Sequence, residues 1–242
     1  MKHLIIIVIA IFSSTTIWSQ QTTEWLNKLE NPEYEIDKLK KENFITEYQK
    51  YDFSTLLTPK TDFLGYIGKD FQRIKIYFTS IAKDPSNPKK YLINGISIVN
   101  DNVCDFHGEI IIQQVREYKS IHFGLDNKYE NTGLKSQGII IGTYDFKENQ
   151  TQKHSGIFKG IVTLNWYVDN FGIIHYDRIE WFSDRYRNNQ YVGTWTDYKT
   201  GNEKICNWGE YRIPFSGDLD IGAAEFSPNP KYQNKGWNQI VK

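Results

Sequence analysis

Three things are scarce in this chain of 242 residues: sulfur, net charge and long apolar runs. It carries two cysteines and one methionine, and its 29 Lys and Arg are balanced by 29 Asp and Glu. A formal charge of +0 and a pI of about 7.0 remove the electrostatic footprint of a nucleic-acid binder. They equally exclude attachment to anionic lipid by charge alone. Neither cysteine has a ligand set around it: Cys104 and His107 are a bare pair, and two ligands do not make a zinc site. The unbroken apolar run Leu4 to Phe12 would give only about 13 Å of helix, too short for a bilayer, and no later segment is longer. Gly-x-Ser-x-Gly, Walker, dinucleotide and His-Glu-x-x-His motifs are missing too, and no cofactor is indicated. Paired carboxylates for glycoside cleavage stay open, because they come from separate strands and leave no local signature.

What is present begins with an export signal over residues 1–20. Lys2 and His3 form the n-region, Leu4–Phe12 the apolar core, and Ser13 to Gln20 a small-polar end with cleavage near Ser19 or Gln20. Export places the mature chain in a periplasmic or extracellular compartment that permits a disulfide. A Cys104–Cys206 bridge is therefore expected, closing a loop of about 100 residues; two separate buried thiols are the alternative.

Residues 21–58 form a helical lead. Trp25, Leu26 and Leu29 mark a first helix, ended by Pro32, and Ile36, Leu39, Phe44 and Tyr48 predict a second over 33–48. Residues 59–213 are expected to form the β domain, and from residue 70 onward the apolar period becomes two, with strands expected at 73–79, 91–99, 106–118, 137–147, 156–168, 172–182, 190–198 and 208–213. Turn clusters separate them, of which Asp169-Asn170-Phe171-Gly172 is the best hairpin signal. About eight strands with no interleaved helices read as a mainly β antiparallel meander. Glycines inside strands favour a closed or partly open barrel over a sandwich. Gly-x-aromatic recurs at Gly142-Thr-Tyr144, Gly156-Ile-Phe158, Gly193-Thr-Trp195 and Gly209-Glu-Tyr211, and reads as rings packed over the space that glycine leaves. Residues 214–242 are broken by Pro214, Pro228 and Pro230 yet rich in apolar side chains, as in an ordered flap on the same domain.

Gly193-Thr-Trp195 resembles the Gly-x-Trp signature of lipocalin, fatty-acid-binding and avidin-like barrels, with Arg212 in the place of the arginine that caps the signature Trp. Here the triplet lies late in the chain and not on the first strand. Over residues 60–237 the chain also resembles secreted β-rich proteins of Bacteroidetes-type bacteria. The segments that carry this are Asn188-Asn189-Gln190-Tyr191-Val192-Gly193-Thr194-Trp195, Cys206 to Pro214 and Gly217 to Gly222. The first resemblance implies a barrel; the second implies export and no particular activity.

The stretch 172–182 holds the suspicious polar residues. As a strand it puts His175 and Asp177 on one face and Tyr176, Arg178 and Glu180 on the other, followed by Trp181, Asp184 and Arg185. His175, Asp177, Glu180 and Asp184 are the candidate acids and bases. Arg178, Glu180, Trp181, Tyr176, Trp195 and Arg185 are the candidate ligand contacts. Asp218, Asp220 and Glu225 are weak candidates for a cation, since oxygen-rich loops suit calcium. Three functions fit: a non-enzymatic barrel with a small-molecule, glycan or extended ligand in its mouth, a secreted hydrolase of glycan or peptide, or an inhibitor- or immunity-type protein partner.

Overall fold

The computed structural model describes residues 19–181, 183–184 and 186–238. Nearly all of the expected signal segment lies outside these, as does Arg185. The first element is helix α1 (Gln20–Glu30), whose N-terminus is capped by Ser19 accepting from the Thr22 amide at 3.3 Å. Two one-turn helices follow, α2 (Ile45–Tyr48) and α3 (Ser54–Leu57).

The rest is one antiparallel sheet: β1 (Leu64–Ile67), β2 (Gln72–Lys83), β3 (Lys90–Val99), β4 (Asn102–Glu117), β5 (Leu134–Glu148), β6 (Gly156–Asp169), β7 (Ile174–Tyr176), β8 (Asn188–Asp197) and β9 (Glu203–Glu210). Each strand pairs with the next around the ring β1-β2-β3-β4-β5-β6-β8-β9, and β9 returns to β1. The result is a closed eight-stranded barrel. Strand β7 is the extra one, extending the edge of β6 beyond the point where β8 leaves it.

Period-two alternation fills the barrel. Phe158, Val162, Leu164 and Trp166 of β6 point inward beside Ile140, Tyr144 and Phe146 of β5 and Tyr191 of β8. Rings dominate: Tyr191 and Trp208 stack with centroids 4.8 Å apart, and Tyr144 packs on both. The glycines have a definite task here. Gly160 and Gly193 face each other across β6 and β8, and a Cβ on Gly160 would lie 2.7 Å from the Tyr144 hydroxyl. The ring over Gly193 thus comes from Tyr144 on β5 and not from Trp195 of its own triplet.

The outer wall is covered twice. Trp25, Leu26 and Leu29 of α1 lie over Ile139, Ile141, Ile161 and Val192, and the Trp25 indole donates to Thr163 at 3.3 Å. The tail covers β1 and β9, with Leu219 and Trp237 packed against Tyr66. Arg212 holds that tail through Asp220 at 2.6 Å and the carbonyls of Gly222, Ala223 and Ala224. Among the described residues, no helix is long and apolar enough to cross a membrane.

Three expectations need correction. The second helix over 33–48 does not form as a unit, and only its last turn, α2, is α-helical. After a 3-10 turn at Glu35–Asp37 the chain runs extended, with Lys40 N–H bonded to Glu117 O and Lys119 N–H to Lys38 O, both at 2.8 Å. Pairing with the end of β4 overrides the local helical pattern. The strand 172–182 shrinks to three residues because the Asp177 carboxylate accepts from the Ile179 amide at 3.0 Å and turns the chain. Finally, the disulfide does not form. Cys104 and Cys206 are both buried and free. They sit on β4 and β9, four strands apart in a ring of eight and hence on opposite walls, whereas a bridge needs Cα atoms within about 7 Å.

Candidate functional site

The two ends of the barrel are built differently. The hairpins β1–β2, β3–β4, β5–β6 and β8–β9 share one end. The other receives α2 and α3, whose Tyr48, Phe53, Leu56 and Leu57 enter the barrel core and plug it. At that plugged end Glu210, fully buried, accepts from the amides of Lys60 at 2.6 Å and Thr61 at 2.8 Å, the Tyr176 hydroxyl at 2.8 Å and the Asn189 amide at 3.2 Å. Phe53 N–H is held by the Tyr91 hydroxyl at 3.0 Å.

At the hairpin end a cavity of about 1180 Å³ opens between the loops and runs over the rim to the start of α1. Its inner wall is Ile67, Ile74, Val99, Phe158 and Trp195; Gln20, Gln21 and Glu24 border it outside. The floor is Glu148, only 4% exposed. Its carboxylate accepts from the Ser97 hydroxyl on β3, the Gly156 amide on β6 at 2.7 Å and the Trp195 indole on β8 at 2.9 Å. Strands β3 and β8 are on opposite walls, so Ser97–Glu148–Trp195 forms a strut across the mouth. Burial pushes the Glu148 carboxyl above its usual range, against the pull of its three donors. Gly156 is required here, because a Cβ would lie 2.6 Å from the Trp195 ring.

Of the described ligand-contact and acid–base candidates, Trp195 alone lines the mouth. Tyr176 belongs to the plugged end, bonded to Glu210. His175 turns to Asp169, not Asp177, at 2.7 Å, and stacks on Tyr167. That pair is the hairpin turn folding back on itself. Asp177 is buried against Gln137 at 2.6 Å, and burial raises its carboxyl too. Glu180 meets His122 at 3.1 Å and lines a second cavity of about 520 Å³ between α1 and the outer wall. Arg178, Trp181 and Asp184 are exposed, and the Asp184 carbonyl accepts from Arg212 at 3.0 Å. In the tail, Asp218 pairs with Lys231 and Tyr232, and Asp220 with Arg212, while Glu225 follows on the same loop. Among the described residues, no three His, Cys, Asp or Glu come together as metal ligands would.

Glu148 and Ser97 are the residues that sequence reasoning passed over. The signal was available: Ile140, Gly142, Tyr144 and Phe146 share a face, and Glu148 is the next position on it. Its place beside Asn149-Gln150 made it look like part of the turn. Compared with models of protein families, with curated proteins and with solved structures, the chain matches none.

Proposed function

We propose that the protein is an exported β-barrel that binds a small or extended ligand in its mouth without acting on it chemically. The observation that carries this reading is the cavity of about 1180 Å³ above the Ser97–Glu148–Trp195 strut, at the one end the helices leave open. It is a concave space in which two rings and the aliphatic side chains of Ile67, Ile74, Val99 and Ile205 stand among many polar groups, with room for a small or extended ligand. The segment Leu4–Gln20 supports export. The acids and the histidine on which a hydrolase would draw, His175, Asp177, Glu180 and Asp184, lie away from this cavity and apart from one another in bonding.

The test is a thermal-shift screen of the purified protein against glycans, lipids, small metabolites and divalent metals. A stabilising ligand is expected, and its effect disappears in Val99→Trp, which fills the mouth from the rim. Absence of any shift, or a shift that survives Val99→Trp undiminished, overturns the reading.

A further inference from the structure

The mouth's charges narrow the ligand class. Glu148 takes all three of its hydrogen bonds from neutral donors. Among the described residues no Lys, Arg or His lies within ion-pairing distance of it. No counter-ion among the described residues offsets this carboxylate and the buried medium screens charge weakly, so a cation placed above it is strongly attracted and favours its ionised form. The rest of the lining adds to that field. Six carboxylates border the cavity, from Glu24, Asp70, Asp101, Glu148, Asp197 and Glu203, against the two ammonium groups of Lys69 and Lys204 and the His154 imidazole near Asp197. Glu24 and Asp70 are offset by Lys28 and Lys235, which stand outside the lining, and four acids still face two lysines. A cleft with an excess of one sign concentrates counter-ions.

The walls suit the same charge. Trp195 and Phe158 bring aromatic rings to the cavity, and such faces attract ammonium and guanidinium groups. The mouth already holds one such contact, with the Lys204 ammonium 5.6 Å from the Trp195 ring centroid. Above them Ile67, Ile74 and Val99 offer an apolar surface for the remainder of a ligand.

Resting on the mouth-binding reading, we infer that the ligand is an organic cation: an ammonium or guanidinium group on an apolar or aromatic body. The cationic group seats on Glu148 between Trp195 and Phe158, and the body lies along the aliphatic wall. An anionic ligand such as a fatty acid would meet the acidic field head-on, and a neutral sugar would leave the charge uncompensated.

Calorimetric titration with three probes of one body and different charge tests this: phenethylammonium, 2-phenylethanol and 3-phenylpropionate. The cation is expected to bind at least tenfold more tightly than the alcohol, and the anion not measurably. Glu148→Gln is the diagnostic variant. Its amide oxygen can accept from Gly156 and Trp195 while its NH2 donates to the Ser97 hydroxyl, so the strut survives without the charge. It should lose tenfold or more for phenethylammonium and nothing for 2-phenylethanol, with its melting temperature checking the fold. Equal binding of alcohol and cation, or a cation affinity indifferent to Glu148→Gln, overturns the cation inference and leaves the mouth reading standing. Binding of none of the three also overturns it, and the broader screen then decides the mouth reading alone.

Discussion

Each end of the barrel closes on one buried glutamate, and the two are used in opposite ways. Glu210 accepts from two backbone amides on one oxygen and from Tyr176 and Asn189 on the other. Those partners come from the segment entering β1, from β7 and from β8, so the carboxylate ties the plug to the wall. Glu148 takes three donors and has a cavity above it. Burial raises both carboxyls. A perturbed acid therefore does not by itself mark a site. What separates the two is whether the donors use up the carboxylate and whether space remains in front of it.

Glutamine at each position tells the two carboxylates apart. In Glu210→Gln either orientation sets an NH2 group against N–H donors, Lys60 and Thr61 on one side or Asn189 on the other. A loss of about 3 kcal/mol is expected in urea unfolding, the size of one or two buried unsatisfied donors. A loss below about 1 kcal/mol would show that the plug does not depend on this carboxylate. Gly156→Ala comes next. Its Cβ displaces Trp195 and breaks the strut, at a cost of about 2 kcal/mol typical of overpacking, and ligand binding falls with it. Glu148→Gln should cost less than about 1 kcal/mol, since every strut bond has a counterpart; a cost equal to that of Glu210→Gln would erase the distinction between the ends.

The pH dependence sharpens the contrast further. A carboxyl whose folded value is raised keeps its proton longer in the native state than in the unfolded chain. Its contribution to stability is full below the unfolded value of about 4.3 and declines as pH rises through the folded value. Removing Glu148 deletes that decline, so Glu148→Gln gains on wild type in melting temperature between about pH 4 and the raised value, and the gap is constant above it. A gap independent of pH throughout would mean that burial does not perturb this group. The smallest expected effect is none: dithiothreitol should leave the melting temperature unchanged, because Cys104 and Cys206 are unbridged and burial pushes the Cys206 thiol well above its usual range. A fall on reduction would mean that the thiols do pair.

Much of the architecture is written in the sequence. A period of two puts Tyr144 with Phe146 and Phe158 with Trp166 on single strand faces, all of them inward in the barrel, and the turn clusters place most strand ends, because a period of two and turn chemistry are local properties. The Trp25, Leu26 and Leu29 stripe is local in the same way. The second helix and the long strand at 172–182 fail where the decisive bonds are elsewhere, Lys40 to Glu117 in one case and the Asp177 turn in the other. The scarcity of cysteine and of net charge takes on a different meaning in the fold. Two cysteines looked like one bridge, and ring closure puts them on opposite walls. Zero net charge holds for the whole chain, yet closure gathers six of its carboxylates around one cavity with two lysines. Composition and local pattern determine that this chain makes a barrel with an aromatic interior. Only closure decides which end stays open and which glutamate faces it, because Ser97, Glu148 and Trp195 meet across opposite walls and no spacing along the chain encodes that contact.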